Sequence, residues 1–328
     1  MDSPATFVVL ALILAAEFVN GWTDAPNAIA TVVSTRVLSP TRALLMASVF
    51  NLIGTMSGTA VAATIGTGIV RPEVINVYTV GAAMVGIVIW STLAWYYGLP
   101  TSESHALVAG LTGAAFATAG IDAVIWSGWQ KVLLGIVFST FLGFFSALLL
   151  TAVIYRLFRK QSPAAIRTVF GKLQVLSAAF MAFSHGSNDG QKFIGAFTLV
   201  LVLGGLLPAF AVPFWVILLC GFTMAMGTAV GGWRIVRTMG LRLTKLQPVH
   251  GFAAETAAAT TIEVATRLGV PLSTTHTIST AIMGVGATQR LSAVRWGVTL
   301  QIVSAWVLTF PVCASIAWAA AKLAEAGF

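Results

Sequence analysis

The 328-residue chain is 58% hydrophobic, with charge on only 9% of its residues and a mean hydropathy of +0.92. Soluble domains carry roughly 25% charged residues, so a soluble enzyme or soluble binding module is excluded and a polytopic membrane protein is expected. The net charge of +8 does not point to nucleic acid, because the basic residues fall in short loops between apolar runs, where they set orientation. At about 20 residues per helical crossing, the length holds roughly ten crossings joined by short loops, an all-α fold with no soluble domain between them. Cys220 and Cys313 lie in apolar runs and read as small core residues. Asp2 stands where a signal peptide wants Lys or Arg, so the first apolar run is expected to be retained.

That first run covers residues 5–37 and would make a helix of roughly 50 Å, too long for a hydrocarbon core of about 30 Å. It contains Asn20-Gly21-Trp22-Thr23-Asp24-Ala25-Pro26-Asn27-Ala28, a polar patch expected to split the run into two half-helices or a re-entrant turn. Arg36 and Arg42 follow, then an apolar run at 43–65, a loop with Arg71, and a run at 77–96. Next come Pro100-Thr101-Ser102-Glu103-Ser104-His105, a small-residue helix to residue 119, and a fifth run at 131–154. Residues 159–172 hold Arg159, Lys160, Arg167 and Lys172 and read as a basic cytoplasmic loop joining a first transmembrane repeat (1–158) to a second (173–328).

The second half repeats the plan. Residues 173–207 again exceed one span and are interrupted by Ser184-His185-Gly186-Ser187-Asn188-Asp189-Gly190-Gln191-Lys192. Residues 212–230 follow, then basic residues Arg234 to Lys245, a run at 251–268, and Pro271-Leu272-Ser273-Thr274-Thr275-His276 with its small-residue helix. The last run covers 298–321. Asp189 lies 165 residues after Asp24. Gly227-Thr228-Ala229-Val230 lies 169 after Gly58-Thr59-Ala60-Val61, and Ser273 lies 171 after Ser102. Three anchors in order, at slowly rising offsets, mark a diverged duplication. Placing the basic loops inside requires an odd number of crossings, five, in each half. The second half is then inverted, and both termini are outside.

Two broken segments at matching places are the sequence signature of a transporter's binding site. An intramembrane carboxylate is costly unless paired, hydrated or holding a cation. Asp24 and Asp189, with Asn side-chain oxygens and freed carbonyls, therefore suggest a hard-oxygen site for Na⁺, or for a proton. Simple capping of a broken helix is the alternative. Thr101, Ser102 and Ser104, and Ser273, Thr274 and Thr275, stand at helix N-termini, where N–H groups, the helix dipole and hydroxyls favour a tetrahedral oxyanion; ordinary N-capping is the competing reading. His105 and His276 share a repeat position and either shape the hairpins or bind and protonate substrate. Lys192 either offsets Asp189 or adds positive charge to the anion path. Glu255 either couples or relays protons or pairs with a neighbour, and Glu17 resembles it. No hydrolase triad, Walker loop or metal-ligand cluster is present, and no cofactor is expected beyond a cotransported ion.

These motifs resemble a known family. Gly21-Trp22-Thr23-Asp24-Ala25-Pro26-Asn27-Ala28 is similar to the Gly-Ala-Asn-Asp-x-Ala-Asn-Ala signature of the inorganic phosphate transporter (Pit) family. The stretch from His185 to Lys192 resembles its second copy in bacterial members, and the two Pro-to-His stretches resemble its hairpins, in the same order over about residues 8–320. The resemblance implies secondary symport of inorganic phosphate with H⁺ or Na⁺ across the bacterial inner membrane, by an inverted-repeat bundle that is often a homodimer. By motif position Asp24, Asn27, Asn188 and Asp189 would hold the cation, with Asp24 and Asp189 as ligands if it is Na⁺, and the two Ser/Thr hairpins would hold phosphate. A sulfate permease on the same scaffold and an anion channel are the rival readings. Thr23 departs from the signature's Asn, and Glu103 places a negative charge inside a hairpin meant for an anion.

Overall fold

The computed structural model describes residues 4–327, and among them the chain is built from thirteen α-helices. The first half contributes α1 (Pro4–Ser34), α2 (Pro40–Thr55), α3 (Ala60–Gly68), α4 (Val77–Tyr97), α5 (Glu103–Ala119) and α6 (Trp126–Leu157). The second contributes α7 (Pro163–His185), α8 (Gln191–Leu203), α9 (Phe214–Val230), α10 (Trp233–Arg237), α11 (Pro248–Arg267), α12 (Thr274–Gln289) and α13 (Trp296–Glu325).

Two hydrophobic clusters reveal the inversion. One gathers Val9 and Ile13 of early α1 with Val80 of α4, Leu107 of α5, Phe193 and Val200 of α8, and Cys313 of α13. The other gathers Ile29 and Val32 of late α1 with Ala43 of α2, Ile154 of α6, Phe170 of α7, Ala253 of α11, Ile282 of α12 and Ile302 of α13. Thus α1 runs from the first cluster to the second, while the matching α7 and α8 run from the second to the first. The ends carrying Arg36/Arg42, Arg156 to Lys172, Arg234 to Lys245 and Arg290/Arg295 all flank the second cluster, so most basic residues collect at that end, while Arg71, Lys131 and Lys322 adjoin the first.

The halves interleave. The three-helix group α4, α5 and α13 is matched by α11, α12 and α6, each half lending its last helix to the other. Between these groups lie α1 packed on α9, and α2 packed on α7 and α9. Small residues let those backbones meet: a Cβ on Gly21 would lie 2.2 Å from the Met224 carbonyl oxygen, and one on Gly186 2.1 Å from that of Asn51. The outward faces of α6 and α13 are apolar, with Phe141, Leu149, Leu300 and Val307 exposed, as a lipid-facing surface must be.

The structure corrects three expectations about where the chain breaks. The first motif does not split its helix. α1 is continuous for 31 residues with Pro26 inside it, because the motif's polar side chains find partners on other helices and leave the backbone free to stay helical. The second motif forms a π-helical turn, Gly186–Gly190, joining α7 to α8 in a continuous 41-residue span. The stretch 159–172 is a loop only up to Ser162. There the Ser162 hydroxyl accepts the Ala165 N–H at 3.2 Å and starts α7, so Arg167 and Lys172 are helical.

The sharp bends lie where the sequence suggests plain spans, at 70° between α2 and α3 and 59° after α9. Both coincide with the repeated Gly-Thr-Ala-Val. Gly58 at the first bend, and Gly231 and Gly232 at the second, cannot sustain a helix well. The backbone freed at the first bend is repaired by Gln191, whose Oε1 accepts the Val61 N–H at 2.9 Å.

Among the described residues, five helices are long and apolar enough to cross a membrane, or seven counting the bent pairs. α5 and α12, of 17 and 16 residues, reach about 25 Å, short of a hydrocarbon core of about 30 Å.

Candidate functional site

Each hairpin is fixed by the same three devices. α4 ends at Gly98 and α11 at Gly269, with φ of 68° and 66°, a left-handed conformation that suits glycine alone among common residues. A threonine from a bent pair then anchors each turn: Thr238 donates to the Gly98 carbonyl at 2.8 Å, and Thr64 to the Gly269 carbonyl at 2.8 Å. Finally the Ser102 hydroxyl accepts the His105 N–H at 3.3 Å, and Ser273 accepts that of His276 at 3.1 Å. The N-termini of α5 and α12 are thereby held inside the molecule, with their first turns buried.

The two motif helices meet those N-termini at a carboxylate cluster. Oxygens of Asp24 and Asp189 and the imidazole of His185 lie within 4.8 Å of one another. His185 Nε2 is 3.4 Å from Asp189 and 3.9 Å from Asp24, and its Nδ1 pairs with Asn51 Oδ1 at 3.1 Å. The hairpin hydroxyls complete the cluster. Thr274 donates to Asp189 at 2.8 Å, and Thr275 lies 3.4 Å from both Asp24 oxygens. The Asn27 amide donates to Thr275 and Thr274 at 3.0 and 3.3 Å. Lys192 is bonded to Asp189, to the Ser104 hydroxyl and, at 3.0 Å, to the Leu272 carbonyl. Every one of these side chains is almost wholly buried.

Of the residues singled out in the sequence, Asp24, Asn27, Asp189, Ser104, Thr274, Thr275 and Lys192 are brought together. Ser102 and Ser273 serve as N-caps beside them, and Thr101 is buried next to Ser102. Asn188 turns toward the end of α11, donating to Thr266 at 2.7 Å. Glu103 turns away from the anion-suited backbone toward α1 and α4, accepting from Thr23 at 3.0 Å and Ser91 at 2.7 Å. Glu255 lies in a separate cluster, accepting from Thr31, Ser177 and, at 3.1 Å, Gln174. His105 and His276 are also apart. Their rings meet edge to face at 4.6 Å and stack on Phe310 and Trp306.

The residue that sequence reasoning left without a role is His185. Its signal was present: it stands four residues before Asp189 in an intramembrane polar motif, a spacing that puts both on one helical face. Chemically the cluster joins two features. Backbone N–H groups and hydroxyls suited to an anion contact carboxylates suited to a cation, through Thr274 and Thr275.

Known proteins share much of this sequence and this fold. The phosphate transporter family matches residues 20–317. The chain is 46% identical over 322 residues to the "Probable low-affinity inorganic phosphate transporter" of Rhizobium meliloti, covering 96% of each chain. It is 37% identical to the protein of the same description from Bacillus subtilis, covering 95% of this chain and 94% of that one. Among solved structures, "The sodium-dependent phosphate transporter" superposes with a TM-score of 0.89 at 24% identity, covering 99% of this chain and all of that one. With its motifs, inverted halves and nearly full-length match, the chain belongs to the phosphate transporter family.

Proposed function

We propose that the chain is a secondary active symporter of inorganic phosphate, driven by H⁺ or Na⁺ and working by alternating access. The observation that carries the proposal is the bonding of Thr274 and Thr275 to Asp189 and Asp24. The hydroxyls suited to a tetrahedral anion contact the very carboxylates suited to a cation. With Asp24 bare, an incoming anion meets like charge at close range; a cation taken up beside it removes that repulsion and releases the Thr275 hydroxyl. Cation and phosphate then favour each other's binding, as a symporter requires. The cation site comprises Asp24, Asn27 and Asp189, with Asn188 beside it and its amide engaged by Thr266. Phosphate is held by Thr101, Ser102, Ser104, Ser273, Thr274 and Thr275 with the N–H groups of α5 and α12.

The names of the relatives support phosphate as the substrate. Phosphate carries one to two negative charges near neutral pH and cannot enter hydrocarbon unaided. Each net positive charge moved inward releases about 2.3 kcal/mol per 100 mV, enough to drive accumulation. The repeats are residues 1–158 and 173–328, with the basic end in the cytoplasm. Radiolabelled phosphate uptake into proteoliposomes, with proton and sodium gradients imposed separately and sulfate as competitor, tests the proposal. Uptake driven by one of the gradients and resistant to sulfate is expected. Uptake indifferent to both gradients would defeat it.

A further inference from the structure

We infer that the Lys192 ammonium is a resident cation. It fills one of two symmetry-related cation positions, so that only the Asp24 side takes up a cation that moves with the substrate. This rests on the symporter reading and adds which position is mobile.

The symmetry is explicit. Lys192 stands three residues after Asp189, as Asn27 stands three after Asp24. Each reaches from its carboxylate helix to the hairpin of the opposite half. Asn27 ends on Thr275, and Lys192 on Ser104, which lies 171 residues before Thr275. One half therefore presents a neutral amide where the other presents an ammonium.

The surroundings of that ammonium are those of a bound ion. Its contacts are a carboxylate oxygen of Asp189, the hydroxyl oxygen of Ser104 and the Leu272 backbone carbonyl at 3.0 Å. Carboxylate, hydroxyl and unwound-backbone carbonyl are the hard donors with which transporters hold alkali cations. An ammonium has three N–H donors and no acceptor. Three oxygens engage all of them, so none remains for phosphate. Lys192 and Asp189 are each 1% exposed, so the charge is compensated inside the cage. The other position differs. Asp24 has hydroxyl contacts at 3.4 Å from Thr275 and an imidazole nitrogen at 3.9 Å, with no ammonium beside it.

The test installs at 192 the residue of the other half. In Lys192→Asn the oxygen cage loses its tethered ion and gains room for a free one. Two readouts follow. Phosphate uptake by proteoliposomes is measured in Na⁺ or choline at fixed pH gradient and potential. Thermal unfolding of the purified protein is measured in the same two salts at constant ionic strength. The inference predicts that Na⁺ stimulates uptake by K192N at least about tenfold more than by the wild type, within the usual range of coupling between sites, and stabilises K192N selectively. Lys192→Ala, with a larger gap, should recover stability in Na⁺ or methylammonium; Lys192→Gln replaces K192N if the latter does not fold. The inference is overturned if folded variants respond to Na⁺ no differently from the wild type. It is equally overturned if K192N raises the phosphate KM tenfold or more with cation dependence unchanged, which would make Lys192 a phosphate ligand. A wild type that takes up no phosphate sinks the symporter reading instead, and the salt-dependent unfolding still decides the cation position.

Discussion

Replacing Asp189 by Asn is the most demanding single change the structure suggests. The carboxylate is the charged partner of Lys192, whose remaining contacts, the Ser104 hydroxyl and the Leu272 carbonyl, are neutral. Asn keeps the shape and removes the counter-charge, leaving an ammonium that is 1% exposed without compensation. Breaking a buried pair from one side costs about 3–5 kcal/mol, which lowers Tm by roughly 5–10 °C for a chain of this size. The reverse change is milder. In Lys192→Met the carboxylate keeps Thr274 at 2.8 Å and His185 at 3.4 Å, so a cost of about 1–2 kcal/mol is expected from hydrogen-bond magnitudes. The double variant should be more stable than D189N alone, with a coupling energy of about 2–3 kcal/mol. Tryptophan fluorescence during thermal unfolding in detergent reads all four proteins. Additive effects, or a D189N cost below about 1 kcal/mol, would refute the pairing argument.

Two further changes probe the scaffold. Gly21→Val places a side chain against the Met224 backbone, where even a Cβ would lie at 2.2 Å. Overpacking of this kind costs about 1–3 kcal/mol or more, so size-exclusion profiles should show lost folded protein, whereas Gly171→Val, with nothing within 4 Å, should not. Glu255→Ala removes the acceptor shared by Thr31, Gln174 and Ser177 and unties α1, α7 and α11. Each stranded buried donor costs about 1–3 kcal/mol, and a measured loss of Tm larger than for Glu255→Gln would confirm that Glu255 is a tie.

Most of the architecture was legible because it rests on composition and internal repetition. A low charge content specifies a membrane protein, and ordered anchors such as Asp24/Asp189 and Ser102/Ser273 specify two related halves. The breaks were harder to read. Pro26 inside a polar motif looks like a helix breaker, yet the helix survives because Thr23 and Asn27 bond laterally to Glu103 and the α12 hydroxyls, while Asn20 bonds Glu17 one turn back on α1. Those partners are remote in sequence or unpredictable in direction. The true bends sit at Gly58, in the first Gly-Thr-Ala-Val copy, and at Gly231, just after the second, a repeat that serves as an alignment anchor and carries no obvious polar load. The interleaving of α6 and α13 between halves was equally hidden, since an apolar helix face does not name its neighbour. The candidate site residues stand out by symmetry, and their contacts diverge where the symmetry fails: Ser102 and Ser273 cap helices, Thr274 and Thr275 reach carboxylates, and Glu103 takes the place of Thr274 in the other hairpin.

In the proposed mechanism the Asp24–Asp189 cluster couples a cation to phosphate without itself holding the phosphate. Gradient-driven accumulation and gradient-free phosphate exchange, measured side by side in proteoliposomes for Asp24→Asn, test it most directly. Accumulation should be lost while exchange of internal for external phosphate persists. An Asp24→Asn protein that still accumulates phosphate against its gradient, or one that loses phosphate binding altogether while folded, would contradict it.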